Sequence, residues 1–172
     1  MPQDNLINST ETVAFENRWI PDLYRWIQGP KELAYWSGNT FCPDRFSPES
    51  IQRHIAQRKI FPFARIDQNR TPLAYAEIVR DYDTGNTHLC RVIVRPGLRG
   101  QGLGKLFCSS LINSPQHVGS SKNLKLNVLS NNHPALACYL ALGFKITKKI
   151  RKARKIENKL YDLFTMTKTF VD

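Results

Sequence analysis

Residues 91–107 read RVIVRPGLRGQGLGKLF: an apolar strand-like run, a loop of glycines and arginines, and an amphipathic segment end to end. This order suits anion binding. The first turn of a helix presents unpaired N–H groups, and the helix dipole adds about half a positive charge there. Glycines let the backbone approach a ligand closely, while Arg99 and Lys105 flank the loop with cationic side chains. A pyrophosphate fits such a turn. Two common templates fail on the residues themselves. A P-loop, G-x-x-x-x-G-K-[S/T], would need a glycine where Arg99 stands and a hydroxyl residue where Leu106 stands. A dinucleotide fingerprint, G-x-G-x-x-G, would need a glycine at Lys105 or at Phe107. What remains is R-x-x-G-x-G over residues 99–104, between a strand and a helix.

Glu77, in LAYAEIVR, is the second candidate group. It shares a strand face with Leu73, Tyr75 and Val79, where a raised pKa would suit it to accept a proton. The alternative is an exposed strand residue or a salt-bridge partner of Arg80 or Arg91. The acidic clusters elsewhere are few, Asp81 with Asp83 and Glu157.

These groups depend on the elements around them. TVAFENRWI alternates as a first strand, and PDLYRWIQGPKELAYWSG has helical spacing broken by Gly29-Pro30, giving two short helices. SPESIQRHIAQR follows as a helix with Ser47 as N-cap and Pro48 at its first position. This helical opening is expected to pack simply or to wall a substrate site. Three strands come next, IFPFARID, PLAYAEIVRDY and THLCRVIVR, the last two joined by the hairpin-like DTGN. After the glycine loop come a helix, the strand LKLNVLS, a helix in HPALACYLALGF capped by Gly143, and a closing strand pair. The strand-helix-strand unit over residues 88–129 demands a parallel pair with a right-handed crossover inside a mostly antiparallel sheet.

With those elements in place, VIVRPGLRGQGLG resembles the acetyl-CoA-binding motif of the GNAT acetyltransferase superfamily, Q/R-x-x-G-x-G/A after a V-x-V strand. A second segment, NHPALACYLALGF, is similar to the family's N-x-x-A-x-x-x-Y-x-x-x-G-F at Asn132, Ala135, Tyr139, Gly143 and Phe144. Together the two cover residues 87–145, and LYDLFTMTK resembles the family's closing strand. The resemblance implies an α/β (α+β) fold with a mixed, mostly antiparallel sheet, flanking helices and a splayed parallel strand pair forming the coenzyme cleft. It implies that Val92, Ile93 and Val94 bond the pantetheine, and that Arg99, Gly100, Gln101, Gly102, Leu103, Gly104 and Lys105 hold the diphosphate. Asn132 lies near the pantetheine in this reading, though SNNHP is also good capping sequence. Tyr139 would hydrogen-bond or protonate the coenzyme sulfur, and Glu77 is the candidate base, with His88 behind it. The strand position where some members carry a glutamate falls at Cys90 to Arg91, neither of them acidic.

The implied activity is acetyl transfer from acetyl-CoA, a co-substrate, to a primary amine by direct attack, with no metal. The alternative is a non-catalytic acyl-CoA sensor, or a nucleic-acid- or ribosome-associated binding module, of the same fold. Composition bounds both. At 172 residues with 41% hydrophobic content, the chain is expected to form a single domain over residues 1–172, monomeric or homodimeric. No leader or membrane-spanning run is visible, so a cytoplasmic protein is expected. Four scattered cysteines without a C-x-x-C argue against zinc and disulfides. The net charge of +11 attracts phosphates of any kind and disfavours a polycationic acceptor. The acceptor is therefore expected to be a neutral or anionic amine, on a small molecule or a protein. The basic run KKIRKARK at residues 148–155 is read as a solvated edge strand rather than a nucleic-acid patch, because no aromatics interleave it for base stacking.

Overall fold

Short-range signals decide where the helices begin, and a period of two decides which way the strands face. In the computed structural model, which describes residues 9–119 and 121–170, strand β1 (Glu11–Ala14) leads through a 3-10 turn at Asn17–Trp19 into three helices. These are α1 (Ile20–Trp26), α2 (Gly29–Ser37) and α3 (Pro48–Ile55). The first strand is shorter than its alternating pattern suggests, because Trp19 and Ile20 are drawn into helical turns that bury them. Gly29, at φ +86°, both separates α1 from α2 and opens α2, with Pro30 in its first turn. Ser47 caps α3 as expected, and Ser50 returns the bond to complete a capping box.

Strands β2 (Ile60–Ile66), β3 (Pro72–Asp81) and β4 (Asn86–Val94) form an antiparallel meander. Helix α4 (Leu103–Ile112) and the short α5 (Pro115–Val118) then cross over to β5 (Asn123–Leu129). Helix α6 (His133–Ala141) and the hairpin of β6 (Lys145–Ile156) and β7 (Lys159–Thr169) complete the chain. The sheet has seven strands in the order β1-β2-β3-β4-β5-β7-β6, with β4 and β5 the parallel pair that the crossover demands. This is the mixed α+β fold expected from the sequence.

Alternation divides the core between the two faces. On β3, Ala74, Ala76 and Ile78 point to one side with Phe107, Leu111 and Phe144 from the α4 and α6 region. Tyr75 points to the other, where Trp19, Leu23, Trp36 and Ile51 from α1 to α3 and the turn before them cover the sheet. β6 is the outer edge, and its run of lysines and arginines is exposed, as charged residues on an edge strand should be. Among the described residues no helix is long and apolar enough to cross a membrane.

Candidate functional site

The parallel pairing of β4 with β5 ends almost as soon as it begins. Thr87 pairs with Leu124 and His88 with Lys125, and no register continues beyond them. The two strands diverge, opening a cleft of about 470 Å³. Leu89, Cys90, Arg91 and Val92 line one wall and Asn127, Val128 and Leu129 the other. Residues 34–40, the end of α2 and the loop after it, roof the cleft, so the helical opening lines this cleft as well as packing on the sheet.

The divergence coincides with a bulge. Between Tyr75–Ile93 and Glu77–Cys90 the β3–β4 register slips by one residue, and Arg91 takes φ +51°. A bulge adds a residue to one strand, increases the local twist and re-aims side chains. Here Leu89, Val92 and Val94 face the α4 and α6 side, whereas Ile93 turns toward α1 to α3. The Trp36 indole donates to the Arg91 carbonyl at 2.8 Å and so fastens the bulge to α2.

Glu77 anchors the same bulge from inside. It is fully buried, and its carboxylate accepts from Tyr75 OH at 2.7 Å, from His54 Nε2 at 3.0 Å and from Arg91 Nη2 at 2.5 Å. Burial pushes its pKa up, but the His54 and Arg91 hydrogen bonds and the Arg91 charge outweigh that and hold it below the usual glutamate value. The raised pKa expected of a base is therefore not what this site produces. Of the readings open from sequence, the ion pair with Arg91 is the one formed.

At the loop, Gly100 and Gly102 take φ of +77° and +82°, which glycine alone adopts without strain. A Cβ at either would meet nothing within 4 Å, so the space above them is open, whereas one on Gly104 would lie 3.4 Å from Val94 Cγ2. No side chain caps α4. Among the described residues, the amides of residues 100–105 donate to no protein acceptor. Arg99 is turned aside, its Nε donating to the Val94 carbonyl at 2.9 Å and its Nη2 pairing with Glu32 of α2 at 2.6 Å. Lys105 and Gln101 are exposed, and Leu103 is buried, leaving only its amide for a ligand.

Tyr139 of α6 lines the cleft, with its ring edge-on to Phe144. Burial, together with the thiols of Cys108, Cys138 and Cys90, pushes its phenol well above the ordinary tyrosine value. Asn132 lines the cleft and also caps α6 by accepting from the Ala135 amide at 3.4 Å. His88 stands where the strands part, and burial followed by the charge of Lys125 lowers its pKa. Among the free cysteines, Cys108 is buried, Cys90 and Cys138 are half-buried, and Cys42 is exposed. No three His, Cys, Asp or Glu among the described residues are grouped to hold a metal.

His54, Trp36, Thr40 and Arg154 escaped sequence reasoning. His54 lies 23 positions from Glu77, and Trp36 lies 55 from the carbonyl it holds, so only the folded sheet unites them. One signal was present: Ile51 and Ile55 define the buried face of α3, and His54 lies three residues after Ile51 on that side.

Comparison with known proteins places these features in context. The model of the acetyltransferase (GNAT) family matches residues 20–144. The crystal structure of spermidine N-acetyltransferase from Vibrio cholerae in complex with CoA and spermine is similar over 94% of this chain and 96% of that one. Its TM-score is 0.80 at 16% identity. The ribosomal-protein-S18-alanine N-acetyltransferase from Escherichia coli matches over 92% of each chain, with TM-score 0.70 and 21% identity.

Replacing buried Glu77 with Gln leaves the largely covered Arg91 without a counter-charge, and removing one partner of a buried pair costs about 3–5 kcal/mol. Urea unfolding at neutral pH should show a loss of that order. Because the folded pKa of Glu77 is depressed, its contribution is complete above the ordinary glutamate value and is lost as the pH falls through the folded one. Stability measured from neutral pH into acid should therefore decline less in Glu77→Gln than in the wild type.

Proposed function

This chain belongs to the acetyltransferase (GNAT) family, and from that premise we propose that it moves an acetyl group from acetyl-CoA to a primary amine. The observation that carries the reading is the combination of three features: free amides in the glycine turn that follows β4, a β4 edge that parts from β5, and Tyr139 lining the cleft so opened. The site fits the coenzyme. Six consecutive amides without protein acceptors, with open space above Gly100 and Gly102, suit a diphosphate at the start of a ten-residue helix. Beyond His88, β4 no longer pairs with β5, so its edge can bond the pantetheine amides as an added strand would. Bound there, acetyl-CoA supplies the thioester carbonyl that an amine attacks.

The residues then divide the work. A β4 amide facing the cleft stabilises the charge developing on the carbonyl oxygen, an effect typically worth about 3 kcal/mol per donor. Tyr139, held protonated by its raised pKa, donates to the departing sulfur. Glu77 and Arg91 fix the bulge that shapes this wall, and the strength of their pairing makes Glu77 a poor proton acceptor. His88, kept neutral by its lowered pKa and exposed to the cleft, receives the proton from the amine in its place.

Three measurements test this reading. Calorimetry should detect acetyl-CoA binding, and Gly102→Val, which forces a β-branched side chain into φ +82°, should weaken it at least tenfold. Tyr139→Phe should lower kcat by about 10²-fold or more, the scale of general acid catalysis, while leaving coenzyme affinity intact. The pH profile of kcat should rise with deprotonation of a group below the ordinary histidine value and then level. That limb should vanish in His88→Gln.

A further inference from the structure

The cleft contains a cation with no counter-charge. Among the described residues lining it there is no aspartate or glutamate, whereas Arg91 and Arg154 both face it. Arg91 is neutralised by buried Glu77. Arg154 forms no ion pair among the described residues, and its one hydrogen bond is local, from Nη1 to the Ala153 carbonyl at 3.3 Å. The carboxylates of its hairpin are committed elsewhere, Glu157 to Lys31 at 2.9 Å and Asp162 to Lys149 at 3.1 Å.

Arg154 occupies this place because β6 is irregular. From Ile150–Leu163 to Arg154–Tyr161 the strand advances four residues against two on β7. Lys152 takes φ +48°, and its amide is held by Asp162 Oδ1 at 2.8 Å. This bulge interrupts the outward-facing basic run and sets Arg154 half-buried beside Gly38, where a Cβ would lie 3.7 Å from its Nη2. The end of α2 offers partial negative charge that orients the guanidinium without cancelling it.

Arg154 is also separate from the diphosphate turn. Arg99 touches α2 at Glu32 and Arg154 approaches it at Gly38, six residues on, or about 9 Å along the helix at 1.5 Å per residue. The turn's own residues do not line the cleft in which Arg154 stands. The two arginines thus approach α2 near opposite ends.

Resting on the acetyltransferase reading above, we propose that the acceptor is an amine that also carries a carboxylate, and that Arg154 binds that carboxylate. A guanidinium presents a planar fork that matches a carboxylate in two parallel hydrogen bonds. Its single uncompensated charge balances a monoanion, whereas a phosphate monoester would remain under-neutralised. A polyamine would bring further cations against Arg154 with no acid in the lining to receive them.

The test compares amines that differ only in the remote group: 4-aminobutyrate against 4-aminobutanamide, with phosphoethanolamine and spermine as further arms, following thiol release from acetyl-CoA. The wild type should favour 4-aminobutyrate over its amide by tenfold or more in kcat/KM. Arg154→Gln should remove that preference by raising KM for the carboxylate at little change in kcat, and Arg154→Lys should restore part of it. Calorimetry with acetyl-CoA on each variant reports whether the coenzyme site is intact. No coenzyme binding by the wild type would overturn the acetyltransferase reading itself. Coenzyme binding with the amide, phosphoethanolamine or spermine preferred, or with selectivity unchanged in Arg154→Gln, would overturn this inference alone.

Discussion

The cleft exists because two parallel strands cannot stay in register past His88 and Lys125. Arg91 sits in a left-handed conformation that a non-glycine residue adopts only when its surroundings impose it, and those surroundings can be named. Glu77 holds its guanidinium, Trp36 holds its carbonyl, and Thr40 accepts from Nη1 at 3.1 Å. Three parts of the chain, β3, α2 and the loop after α2, therefore converge on one residue. Aromatic rings pack around them, with Trp36 stacked on Phe41 and Phe41 edge-on to His54, while Arg91 keeps one side toward the cleft. Low local polarity makes such a pair strong once formed and costly to leave half-made. A buried charge pair is weak evidence for overall stability. Its effect here is conformational, because it locks the one local geometry that opens the sheet.

What could be read in the sequence followed from how local each signal is. The glycine turn, the Ser47 cap and the segment from Asn132 to Phe144 are written in residues within a few positions of one another, and each lies where its pattern places it. The parallel pair was legible too, since strand-helix-strand connectivity allows little else. The bulges at Arg91 and Lys152 were not. Both occur at long basic residues, with no glycine or asparagine to betray a positive φ. Strict alternation sets Glu77 among apolar neighbours and leaves its electrostatics open. Only the folded structure brings His54 from α3 and Arg91 from the bulge onto the carboxylate, and together they reverse the sign of the expected pKa shift.

Both bulges act on the same cleft from opposite sides. The one in β4 opens the sheet edge, and the one in β6 turns an arginine inward from a strand whose other cations face solvent. Helix α2 joins them, with Glu32 gripping Arg99 of the glycine turn, Trp36 gripping β4, and Gly38 leaving room for Arg154. A cationic surface with a net charge of +11 would draw anionic ligands toward the molecule from every direction. Screening removes that long-range pull within about 8 Å at physiological ionic strength, so binding is decided by contacts inside the cleft. There the protein separates its positive groups. Arg91 is cancelled by Glu77, and Arg154 has no ion-pair partner among the described residues, while the free amides of the glycine turn, which hold no formal charge, lie outside the cleft lining. An attacking amine must be neutral, so under the proposed transfer a cation such as Arg154 would hold the acceptor through its other group, not through the amine that reacts.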